Sequence, residues 1–196
     1  MKSPLQNPFP VDAEEDVTFY ASIHLIEPLL HLIQDMYPNI AFNVRNQASE
    51  EFEIIEKNVR GMARTDLVIE AGVKTSYQRV PDLILEYKRS GSLRIEEWTD
   101  GLEEGEYGRL LGNGVVIGRQ LRKYLLSVSF PMVLTFDGSA LAGVRANRSR
   151  TAWASSKEMK VDVFYEDKAE RFMSTLLAVL ILGLEHQSLI VPTPQA

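Results

Sequence analysis

The sequence predicts an α/β domain with a mixed central sheet flanked by helices. Two observations carry this. Stretches of apolar residues at helical spacing bracket short runs rich in Val, Ile and Leu, the signature of buried strands. The predicted order is helix, three strands, helix, two or three strands, helix, which layers helices on the faces of a sheet. A chain of 196 residues is of one-domain size.

Residues 1–11 hold three prolines and read as a tail. The single domain spans 12–190, and 191–196 form a C-terminal tail. Asp12 is placed to cap the first helix, with Glu15 in capping-box position. Phe19, Ile23, Ile26, Leu29, Leu30 and Ile33 then recur at helical spacing. Pro28 lies inside that pattern and predicts a kink or a split. The helix ends near Tyr37-Pro38.

Three strands follow at Phe52–Val59, Thr65–Ala71 and Val80–Tyr87, with Gly61 marking a break between the first two. The polar stretch Gly72–Arg79 predicts a hairpin between the last two. Residues 90–108 read as an acidic loop with a short turn. Gly112-Asn113-Gly114 starts a helix that runs to Val128 and is no phosphate loop, since no Gly-Lys-Ser/Thr follows. Strands at Phe130–Phe136 and Leu141–Arg145 flank the turn Asp137-Gly138. Residues 146–158 read as a basic loop, Lys160–Tyr165 as a strand, and Lys168 to His186 as the closing helix.

Composition narrows the chemistry. With 21 Lys+Arg against 27 Asp+Glu the net charge is -6, so any contact with nucleic acid is confined to a cleft. The absence of cysteine excludes disulfides, zinc–thiolate sites and a thiol nucleophile. Only three histidines are present: His24, His31 and His186. Metal chemistry would rest on carboxylates and a hard cation, Mg2+ or Mn2+. The longest apolar run, Phe172–Leu184, is about 13 residues where a membrane span needs roughly 20. It reads as a buried helix. Met1–Asp16 contains no signal core. The expectation is a soluble intracellular protein without a membrane partner.

One constellation stands out. In the strand ending Glu86-Tyr87-Lys88, alternation places Glu86 and Lys88 on one face, with Asp82 and Ile84 further along it. A hairpin centred on Ser76 sets Asp66 opposite Glu86. Two carboxylates and an ammonium then converge, an arrangement that a divalent cation relieves. Structural alternatives remain: Asp66 pairing with Arg64 or Arg60, and Glu86–Lys88 as an ion pair on an edge strand. Gln120 and Tyr124 lie one turn apart on a helix face flanked by Ile117, Leu121, Leu125 and Val128, so they face the sheet or its boundary.

Asp66, followed twenty residues later by Glu86-Tyr87-Lys88, resembles the Asp…(Asp/Glu)-x-Lys signature of the PD-(D/E)XK nuclease superfamily. Gln120-x-x-x-Tyr124 is similar to the Q-x-x-x-Y of its RecB-like branch. The stretches around Gly61–Asp66 and Glu86–Arg89 resemble uncharacterised fungal members. The resemblance covers roughly residues 13–136 and implies a restriction-endonuclease-like core. It implies a Mg2+- or Mn2+-dependent hydrolase of phosphodiester bonds. Asp66, Glu86 and the Tyr87 carbonyl would hold metal, Lys88 would position or activate water, and Gln120 and Tyr124 would orient substrate or water.

Many relatives add a carboxylate from the first helix. Glu27 is the candidate, with Glu53 or Glu56 as substitutes. Asp82, in a literal Pro-Asp pair, is set aside because it lies ~13 Å along the strand from Glu86. Arg119, Lys123, Arg148 and Arg150 are candidates for binding nucleic acid, DNA ahead of RNA, and equally suit solvated surfaces. Trp153 in the basic loop is placed to stack a base. The resemblance also admits a homodimer or larger complex. The alternative reading is an inactive nuclease-fold binding or assembly module; a looser one is an α/β protein with structural strand-end charges.

Overall fold

The computed structural model describes residues 13–54, 59–99, 110–127, 132–146 and 161–190. The chain opens with a helix in three parts. α1 (Glu14–Ala21) runs into a π-helical segment, Ser22–Ile26, and then into α2 (Glu27–Met36). Pro28 explains the split. Its ring opposes the carbonyl four residues back and it has no N–H to donate. The wider π turn absorbs this, with the Glu27 N–H reaching Ser22 O, five residues back. The predicted cap at Asp12 lies outside the described residues. The N-cap is Ala13, whose N–H donates to Asp16 Oδ2 at 3.2 Å.

The sheet has six strands in chain order: β1 (Ile40–Ile54), β2 (Val59–Val73), β3 (Val80–Tyr87), β4 (Met132–Phe136), β5 (Leu141–Ala146) and β6 (Val161–Glu166). Among the described residues only β3 and β4 pair in parallel. That pair needs a crossover, which contains α3 (Ile95–Thr99) and α4 (Gly112–Ser127). The chain closes with α5 (Ala169–His186). The protein is therefore α/β, with a mixed sheet flanked by helices.

Two sequence expectations need correction. β1 begins at Ile40 rather than Phe52, because Ile40, Phe42 and Val44 alternate inward while Asn43 and Arg45 pair with Glu70 on β2. Gly61 is no break; it lies within β2 opposite Phe52. β3 is central, as its apolar run predicts, and Leu83, Ile84 and Leu85 are all buried, which removes the alternative of an edge-strand ion pair at Glu86 and Lys88.

The core is a stripe of α5 (Phe172, Leu176, Leu180, Leu184) together with the inner face of α1–α2 (Val17, Ala21, Leu25, Leu29, Ile33) and the sheet. Phe136 and Phe172 meet edge to face at 5.4 Å, a pair contributing about 0.5–1.5 kcal/mol beyond burial. No helix among the described residues is long and apolar enough to cross a membrane.

Two local devices fix the elements that carry the site. Asp137, fully buried, closes the β4–β5 turn. Its Oδ1 accepts from Ser139 N, Ser139 Oγ and Ala140 N, and its Oδ2 accepts from Leu93 N at 2.9 Å. The chain leaving β3 is thereby tied to that turn. Gly112, at φ 48, starts α4 where a Cβ would collide with the Glu97 carboxylate. α4 is thus docked on α3 before it crosses the sheet.

Candidate functional site

The β2–β3 ladder pairs Leu67 with Leu85 and Val68 with Ile84. Continued by one step, this register sets Asp66 opposite Glu86. The Asp66 Oδ2 accepts the Tyr87 N–H at 2.8 Å, so the carboxylate is locked at the end of the ladder. Arg64 donates to Gln47 Oε1 instead of pairing with Asp66. The Arg60 side chain lies outside the described residues.

Glu86 is only 4% exposed. Its Oε1 accepts from the Lys88 ammonium at 2.7 Å and from the Gln120 amide. Its Oε2 lies 3.0 Å from the Tyr124 hydroxyl. Gln120 Nε2 also donates to that hydroxyl at 2.9 Å, and Tyr124 Oη reaches the Arg64 carbonyl at 2.6 Å. Five predicted residues, Asp66, Glu86, Lys88, Gln120 and Tyr124, therefore meet across β2, β3 and α4. α4 turns this face inward because Ile117, Leu121 and Leu125 are buried beside it.

Burial raises the Glu86 pKa, and the charge of Asp66 raises it further. The hydrogen bond and charge of Lys88, and the Tyr124 hydrogen bond, oppose this. Burial chiefly, then the Glu86 charge, pushes the Tyr124 phenol up, so it remains a neutral hydroxyl. Tyr87 is likewise raised, by burial and then by Asp66.

Asp66 also opens on a cleft of about 540 Å3 between α1 and the β1–β2 ribbon. Glu14, Glu15, Thr18, Phe19 and Ser22 form its helical wall. Asn46 and Gln47 form its strand wall. Glu14, Thr18 and Ser22 follow one another at helical i, i+4 spacing, as do Glu15 and Phe19. The chain compared with known proteins gives no match to any family model, curated protein or solved structure.

Glu27 is not brought to this cleft. It is exposed at the start of α2, beyond the π segment, and Glu14 and Glu15 are the first-helix carboxylates on the Asp66 side. Sequence reasoning read those two as helix-start acids that complement the macrodipole. Their i, i+4 companions were the overlooked signal. The Glu53 side chain, Glu56, Arg148, Arg150 and Trp153 lie outside the described residues. Arg119 and Lys123 are exposed on α4.

The donors fit a hard cation in kind. Asp66 and Glu86 repel one another, and the nearby carboxylates are oxygen ligands. Among the described residues, no group of three or more His, Cys, Asp or Glu is arranged to hold a metal ion. The residues that would hold one are Asp66 and Glu86.

Asp82 is fully buried, and among the described residues neither of its oxygens has a hydrogen-bond partner. The ladder pairs Ile69 with Leu83 but Glu70 with Pro81, so Asp82 is the extra residue of a β-bulge. The bulge interrupts the alternation that had placed Asp82 on the Glu86 face.

Proposed function

We propose that the chain is a metal-dependent nuclease of the PD-(D/E)XK kind that hydrolyses phosphodiester bonds, in DNA ahead of RNA. The observation that carries this reading is the Glu86 carboxylate, contacted by Lys88, Gln120 and Tyr124 with Asp66 on the neighbouring strand. The architecture supports it: a leading helix, a three-stranded antiparallel meander, a crossover helix and a strand parallel to the third. This order suits a restriction-endonuclease-like core.

In this reading Asp66, Glu86 and the Tyr87 carbonyl would hold Mg2+ or Mn2+. A bound cation would supply Lewis-acid stabilisation of charge on the phosphate. Lys88, its ammonium held by Glu86 Oε1, would position the attacking water. Gln120 and Tyr124 hold the Glu86 carboxylate in orientation. Arg119 and Lys123 are available to backbone phosphates. With net charge -6, the cleft depends on the cation to accept a polyanion.

The test is cleavage of plasmid and single-stranded substrates by the full chain in Mn2+, with Lys88→Ala in parallel. Cleavage by the wild type and a loss of about a hundredfold or more in the variant supports the reading. Equal cleavage by both rejects it.

A specific observation favours a second reading. Both Glu86 oxygens already have protein donors, as in a nuclease fold kept as a binding or assembly module. Metal-independent binding of nucleic acid without cleavage would select that reading.

A further inference from the structure

The hydrolytic reading leaves the strand and helix walls of the Asp66 cleft unused. Phe19 is 69% exposed and lies on the lip of that cleft. Scattered exposed apolar residues are ordinary; a phenyl ring in the same cleft as the candidate metal carboxylate is a placed one. Gln47 stands across from it with φ 52, in the left-handed region that residues with side chains seldom adopt. It occupies the unpaired position between the pairs Asn46–Leu67 and Ala48–Thr65, level with Asp66. Its Oε1 accepts from Arg64, which leaves the amide N–H2 to donate.

The charge of the cleft decides what it can take. Glu14, Glu15 and Asp66 line it, and among the described residues no Lys or Arg does. Such walls repel phosphate. They accept the uncharged part of a nucleotide, a base stacked on the ring and hydrogen-bonded by the amide. A base within a duplex keeps both faces stacked on its neighbours; an unpaired base has a face to offer.

We propose that Phe19 and Gln47 form a base-binding subsite beside Asp66, so that the site takes a single strand or an unpaired strand end. This rests on the nuclease-fold reading for its ligand class, though base binding itself needs no cleavage.

Fluorescence anisotropy tests it, with the full chain in Ca2+ and a labelled mixed-sequence single strand or its duplex. Phe19→Ala should raise the single-strand Kd by about tenfold or more, the effect of losing one base–aromatic stack. The duplex Kd should stay within about twofold, and Phe19→Trp should restore single-strand binding. Since Phe19 is exposed, the melting temperature of each variant should match the wild type. Unchanged single-strand binding by Phe19→Ala, or equal loss on both substrates, overturns the subsite. Absence of cleavage with the Phe19 effect intact rejects the enzyme and supports the subsite. Wild type that binds neither substrate overturns both.

Discussion

The Tyr124 hydroxyl lies 3.0 Å from Glu86 Oε2 and has one proton to give. The Arg64 carbonyl, at 2.6 Å, competes for the same proton. The Gln120 amide donates to the hydroxyl oxygen rather than accepting from it. If the proton goes to Arg64, two bare oxygens face each other unless Glu86 is itself protonated. The buried Glu86 carboxyl, already raised in pKa, is therefore balanced by how this one hydroxyl is shared.

Tyr124→Phe removes a donor that favours the charged carboxylate. The Glu86 pKa should rise further, and the Arg64 carbonyl loses a partner. For an acid raised on folding, stability is fullest below the unfolded pKa of 4.5 and declines as pH rises through the folded value. The variant should lose about 1–3 kcal/mol and show a steeper decline above that pH. Urea denaturation at several pH values, with carboxyl NMR titration, measures both. A variant as stable as wild type throughout would remove Tyr124 from the account.

Asp82 gives a separate pH dependence. Burial alone pushes its pKa up to about 8 from 3.8. The folded protein thus holds a proton that the unfolded chain releases between those limits. Stability should fall across that window, at up to about 1.4 kcal/mol per pH unit from this group, and level off above it. Asp82→Asn cannot ionise and should flatten the slope. Melting temperatures between pH 4 and pH 9 for both proteins decide the matter; identical slopes would mean that Asp82 finds a partner or solvent.

The pairing of Asp66 with Glu86 was legible because a hairpin has one free parameter. A turn centred on Ser76 brings Asp66 level with Glu86, and the observed pairs Leu67–Leu85 and Val68–Ile84 have that centre. The Gln120–Tyr124 face was legible from its buried neighbours. The bulge at Asp82 was not, because one extra residue leaves no mark in an apolar run. The start of β1 was hidden by its polar outer residues, Asn43 and Arg45, which pair across the ladder with Glu70. The wall of Glu14 and Glu15 was hidden for a related reason: acids at a helix start have an ordinary explanation. Only the packing of α1 beside β1 and β2 gives them a second role.

The account depends most on Asp66 and Glu86 binding one divalent cation. Thermal unfolding of wild type and Asp66→Asn in EDTA, Mg2+ and Mn2+ tests it most directly. Linkage predicts about 2.7 kcal/mol of stabilisation at a hundredfold excess over Kd. The account predicts a metal-dependent rise in Tm for the wild type that Asp66→Asn abolishes. No rise in either protein, or an equal rise in both, would contradict it.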